Sequence, residues 1–166
     1  TLGVSAYIQT LLNDADASSA QTTLGISTFV KTLLDDADAV AFLATLSAPN
    51  YQEGTYTPAI TASSGTFTTL GTVTGRFSRI GKLVNVSISI PITTNGTAAG
   101  GIIATLPSLG NAQTTPQSVG SGRVSTGDAL AAPVFSTTQM LIVKYNNTHP
   151  GSDGATVNVS VTYFLV

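Results

Sequence analysis

The side chains best suited to chemistry fall in two polar stretches of the second half of the chain. Tyr145-Asn146-Asn147-Thr148-His149-Pro150-Gly151-Ser152-Asp153-Gly154 combines an aromatic ring, amides, an imidazole and a carboxylate. Sugars are recognised by that mixture: a ring face meets C–H groups, and planar amides or carboxylates meet hydroxyls. Residues 111–128 form a second polar, Gly-rich stretch that carries Arg123 and Asp128. Loops longer than about 12 residues in a compact domain are often functional. Plain connection is the competing reading for each. Tyr145, Asn146, Asn147, His149, Asp153, Arg123 and Asp128 are therefore the candidate saccharide contacts.

Covalent chemistry has little to work with. His149 is the only histidine and cysteine is absent, which removes thiolate metal sites and disulfides. Gly120-Ser121-Gly122 is too short for a nucleophile elbow. A glycosidase sets two carboxyls across the scissile bond, and after residue 50 only Glu53, Asp128 and Asp153 are available, in no characteristic motif. The reading is a non-enzyme with no cofactor and no metal. Carboxyls contributed by different subunits would be the one route to polysaccharide cleavage. Asp14/Asp16 and Asp36/Asp38 lack the spacing of a calcium loop; they read as helix caps and a solvated bend, with a hard cation held between the subunits of a trimer as the alternative. Arg76, Arg79 and Lys82 cluster around a turn; they suit anionic sugar groups, a solvated turn or an inter-subunit ion pair. Four Asn-x-Ser/Thr sequons, at Asn85, Asn95, Asn146 and Asn158, are expected by chance in a chain this rich in those residues.

Only 8% of residues are charged, against about 25% in ordinary soluble domains. Surface so poor in charge suits burial between subunits. Residues 1–50 carry Asp14, Asp16, Asp35, Asp36 and Asp38 against Lys31, a net −4; residues 51–166 carry five cations against three acids, a net +2. Neither half has the dense basic stripe that duplex nucleic acid requires. No apolar run approaches the length of a membrane span. Thr1 at the start and Met140 as the only methionine point to a piece of a longer protein.

The elements that must position these groups divide near residue 50. TLGVSAYIQTLLNDADASSAQT (1–22) aligns with TLGISTFVKTLLDDADAVAFLA (23–44), and Thr45-Leu46 opens a third copy that then departs at Ser47 and Pro49. Each copy predicts two short helices. Ser5 or Ser27 caps the first, and Tyr7, Ile8, Leu11 and Leu12, or Phe29, Val30, Leu33 and Leu34, form one apolar stripe. Asp16 or Asp38 caps the second, and Gly25 ends it in left-handed backbone. Arrays of this kind need about three or more units to bury their stripes, so the stripes call for partners.

The remainder predicts β structure. Leu83–Ile92 and Ala155–Val166 alternate apolar and polar residues with period two. Tyr56–Thr61, Val73–Ile80, Gly101–Leu106 and Gln139–Tyr145 are further strands, with Gly81 and Asn95-Gly96 as turns. Pro91 belongs at an edge or a bulge. Tyr163-Phe164-Leu165-Val166 is apolar on both faces of its strand and calls for burial against a neighbouring chain or deep in the sandwich. The fold class expected is mainly β with an α-helical N-terminal part: helical repeats over 1–48, a linker at 49–53 and a jelly-roll-like β-sandwich over 54–166.

The segment SxFVxTLLDDADA at Ser27–Ala39 resembles repeats in bacteriophage and prophage tail-fibre shafts. Gly54–Ile60, Gly75–Val86 and Val159–Phe164 look like the C-terminal domains of such fibres and tailspikes. The resemblance implies a parallel homotrimer in the virion tail whose distal β head attaches to a bacterial surface saccharide, lipopolysaccharide or capsule. It leaves two alternatives open: a purely structural, trimerising terminal domain, and part of a polysaccharide depolymerase.

Overall fold

In a computed structural model the chain forms two compact units, Thr1–Asn50 and Tyr51–Val166. Residues 5–39, 41–42 and 51–166 are described. The third repeat copy at Thr45-Leu46, its departure at Ser47 and Pro49, and the first part of the expected linker lie outside them.

Among the described residues the first unit shows the helices α1 (Ala6–Leu12), α2 (Ala17–Thr23) and α3 (Thr28–Leu34). Each begins at the residue the repeat marks. Ser5 Oγ accepts from the Ile8 amide and Ser27 Oγ from the Val30 amide, both at 3.3 Å. Asp16 Oδ1 accepts from the Ser19 amide at 2.7 Å, and this bond holds its carboxyl below the usual range. Asp38 repeats the cap on Ala41 at 2.9 Å. Gly25 follows α2 at φ +75°, where a side chain would be strained. None of the three helices contains a buried residue. Tyr7, Ile8, Leu12, Phe29, Val30 and Leu34 are all exposed.

The second unit is one curled antiparallel sheet. Its strands are β1 (Tyr51–Tyr56), β2 (Ile60–Ser64), β3 (Thr69–Leu70), β4 (Thr74–Ile80), β5 (Leu83–Thr94), β6 (Ala99–Thr105), β7 (Val119–Val124), β8 (Ala129–Pro133), β9 (Gln139–Lys144) and β10 (Thr156–Phe164). The hydrogen-bonded order is β1-β4-β5-β10-β7-β8-β9-β6-β2, with β3 on β5. The two strands at the ends of this path are joined by Thr57-Pro58-Ala59 alone. So short a tether holds the edges within about 10–15 Å at that corner. Thr105 closes the corner, accepting from the Ala59 amide at 2.9 Å through Oγ1 and donating its own amide to Ala59 O at 3.1 Å.

Curling puts one side of every long strand inside. Val84, Val86, Ile88, Ile90 and Ile92 of β5 and Val157, Val159, Val161 and Tyr163 of β10 enter one core with Ile102, Leu130, Met140 and Ile142. Each such side chain contributes about 1.5–3 kcal/mol on full burial. Pro91 lies where β5 changes partner: β4 pairs it up to Ser89, and β3 takes over at Ile92 with an irregular register. A residue without an amide proton is accommodated at such a break.

Four details differ from the sequence reading. The stretch Tyr56–Thr61 is two strands broken at Pro58, with β1 starting at Tyr51, inside the expected linker. Residues 111–128 are not an open loop, because β7 runs through them. β8 went unread. The apolar C-terminal run is divided between its two faces: Tyr163 and Leu165 enter the core of the unit, and Phe164 and Val166 lie on its surface.

Candidate functional site

The ten-residue stretch after β9 is largely closed up by its own hydrogen bonds. The Asn147 amide donates to Lys144 O at 2.8 Å, making a tight turn with Asn147 at φ +61°. Asn146 Oδ1 accepts from the Thr148 amide at 3.2 Å and from Thr148 Oγ1 at 2.6 Å. Tyr145 is left on the outside of this turn, 69% exposed.

His149 points the other way. Its Nδ1 lies 2.8 Å from Gly100 O and its Nε2 2.9 Å from Asn95 Oδ1. The ring packs on Phe67 at a centroid distance of 6.0 Å. Asp153 Oδ1 accepts from the Asn95 amide at 2.7 Å. Both side chains are thus committed to fixing the turn at Asn95.

The other candidates gather at one end of the sheet. Asp128, in the turn between β7 and β8, forms an ion pair with Lys144 at 2.9 Å. Asp128, Ala129, Lys144, Tyr145 and Asn146 line a hollow of about 270 Å³. Arg123 pairs with Ala129 in the β7–β8 register, one residue from Asp128. Strand pairing therefore draws Arg123, Asp128, Tyr145 and Asn146 to one end, and places His149 and Asp153 on the Asn95 turn instead.

A second feature was not visible as a site in the sequence. The outward side of β4, β5, β10 and β7 is paved with small polar side chains. One register row runs Arg76, Ser87, Ser160, Ser121; the next runs Thr74, Ser89, Asn158, Arg123. These rows line a groove of about 590 Å³. Beside it, a hollow of about 520 Å³ is bordered by Glu53, Arg76, Ser78 and Asn85. The polar alternation of β5 and β10 signalled an exposed face, but only pairing through β7 brings Arg123 onto it.

A third surface is apolar. Tyr51, Ile80, Leu83 and Phe164 are direct neighbours across β1, β4, β5 and β10, and all four are exposed. Tyr51 also donates to Glu53 Oε2 at 2.6 Å, which raises its phenol pKa.

Among the described residues no group of three or more His, Asp or Glu side chains could hold a metal ion, and no helix is long and apolar enough to cross a membrane. No protein-family model, curated protein or solved structure matches the chain.

Proposed function

We propose that the chain is the end of a trimeric bacteriophage tail fibre, with helical repeats as shaft and the β unit as a saccharide-binding head that does no chemistry on its ligand. The head acts at the bacterial surface, on lipopolysaccharide or capsule, and the two halves of its curled sheet face each other as the layers of a jelly-roll-like sandwich. The observation that carries the binding reading is the end cluster of Tyr145, Asn146, Asp128 and Lys144. It offers an exposed ring, an amide and a charged pair around one hollow, the group types that hold sugar rings and hydroxyls. The trimer is supported by the exposed apolar stripes of α1 and α3 and by the apolar row from Tyr51 to Phe164. Contiguous apolar surface of this kind marks interaction sites. Fibre origin rests on the likeness of the repeat at Ser27–Ala39 and of the β-strand segments.

The test is attachment of the full chain to host cells, with Tyr145→Ala as the variant. A single contact of this kind is worth about 1–2 kcal/mol. Three copies on one particle multiply the loss through avidity, by about 10²-fold or more. Attachment should therefore collapse, while a monovalent assay registers only the modest loss. Unaltered attachment in Tyr145→Ala and Asn146→Ala would remove this site. Release of oligosaccharide from the host polymer would replace the binding reading with a depolymerase.

A further inference from the structure

We propose that the outward face of β4, β5, β10 and β7 is a groove for an acidic polysaccharide, with Arg76 and Arg123 receiving its carboxylates. The saccharide class rests on the reading above; the groove itself does not depend on the Tyr145 turn.

Three observations point to an acidic chain. First, the floor is low. A solvated sheet face is ordinarily covered by long charged side chains, whereas here Ser87, Ser89, Ser121, Ser160 and Asn158 leave the backbone approachable across two register rows. Second, the floor is chemically available. Ser87 and Ser160 share one 3.4 Å contact, while Ser89, Ser121 and Asn158 make no side-chain hydrogen bond among the described residues, leaving hydroxyls and an amide for sugar hydroxyls. Third, positive charge is concentrated there without a counter-charge. Of the five cations in the β unit, Lys144 is paired with Asp128, Arg79 donates to Gly81 O at 2.6 Å and Leu109 O at 3.3 Å, and Lys82 sits in the turn between β4 and β5, outside the groove. Arg76 and Arg123 are exposed, make no ion pair or hydrogen bond among the described residues, and both line this groove.

No carboxylate lines it. Glu53 borders only the neighbouring hollow on the far side of Arg76, and Asp128 is held by Lys144. Arg76 and Arg123 stand on strands three spacings apart, about 14 Å, and one row out of register. That diagonal suits a run of a few linked sugar rings bearing acid groups at intervals, each able to take a bidentate guanidinium. Toward β8 the groove leads to Ala129 and the end cluster, so one polymer can occupy both.

Polygalacturonate is the probe, with its methyl ester as the uncharged counterpart, titrated against the full chain. Polygalacturonate should bind and the ester should not. Binding should fall with added salt, since exposed charges are screened over about 10 Å at 0.1 M. Arg76→Ala and Arg123→Ala should each weaken it by about tenfold, with the Lys variants intermediate, and Glu53→Gln should leave it equal or slightly tighter. Equal binding of acid and ester, no binding of the acid, or an unchanged double alanine variant would overturn the groove. So would an alanine variant that alters particle mass instead of binding, because the face would then be a subunit contact. Tyr145→Ala separates the two readings: loss of host attachment with polygalacturonate binding intact fells the end cluster's claim on this polymer, and the reverse fells the groove.

Discussion

Tyr163 brings a hydroxyl into the core where nothing receives it. The side chain is 1% exposed and its OH has no hydrogen-bond partner among the described residues. Burial pushes its pKa from 10.0 to about 12, opposed in part by Arg79, and burial raises Tyr56 as well. A pKa raised on folding means the folded state holds the phenol proton more tightly. The associated stability is therefore complete below pH 10 and is lost as pH rises toward 12. Urea midpoints should be flat through neutral pH and fall across that alkaline range. Tyr163→Phe should raise stability by about 1 kcal/mol, since an unpartnered buried hydroxyl costs about that much, and should soften the alkaline loss; destabilisation would mean that the hydroxyl is satisfied. His149 makes the opposite case. Its alanine variant leaves Asn95 Oδ1 and Gly100 O without the imidazole, so unfolding free energy should drop by about 1–3 kcal/mol, while saccharide binding per folded molecule is unchanged. The sequence offered His149 as a sugar contact because nothing local announces a partner some fifty residues earlier.

At the scale of elements, legibility followed side-chain alternation. β5 and β10 were plain because five and four apolar residues recur at every second position, and the helix starts were plain because Ser and Asp caps recur at the repeat period. β7 was hidden: Val119-Gly120-Ser121-Gly122-Arg123-Val124 carries apolar side chains only at its ends. Its glycines are there for proximity. A Cβ on Gly120 would lie 2.2 Å from Ser160 O, and one on Gly122 would lie 2.2 Å from Asn158 O. Gly122→Ala should therefore push β7 off β10 and cost about 1–3 kcal/mol, read as a lower urea midpoint with retained helix signal. An unchanged midpoint would show that the two strands can separate freely. The candidate site was partly legible for the same reason: Tyr145, Asn146 and Asp128 were visible as residue types, but their meeting depends on β7, β8 and β9 pairing in sequence, and the groove depends on β4 and β7 being brought together around β5 and β10.

The whole molecule is asymmetric in how its parts are held. The β unit has a core of its own, whereas α1, α2 and α3 bury nothing among the described residues. Isolated helices of this length are marginal in water, so their persistence should require other chains. Light scattering on a dilute sample should give the mass of three chains. Leu11→Asp or Leu33→Asp should lower helix content and particle mass together, leaving the sheet signal in place. A monomer that keeps its helical signal on dilution would sink the trimer.

The last of the ten strands to appear in the chain stands near the middle of the sheet. In the order of paired strands, β10 alone stands between the ladder β1-β4-β5 and the ladder β7-β8-β9-β6-β2. During translation, chains lengthen by about 5–20 residues per second. Both ladders thus leave the ribosome before the strand that welds them, each presenting an open edge beside a row of unburied valines and isoleucines. Such edges are templates for pairing with other chains. For that interval the nascent β unit leaves both edges open to its neighbours on the same messenger, and a chain cut at Ala155 would keep them open. Completion of the sheet therefore waits on Thr156–Phe164, the segment that withdraws both edges at once.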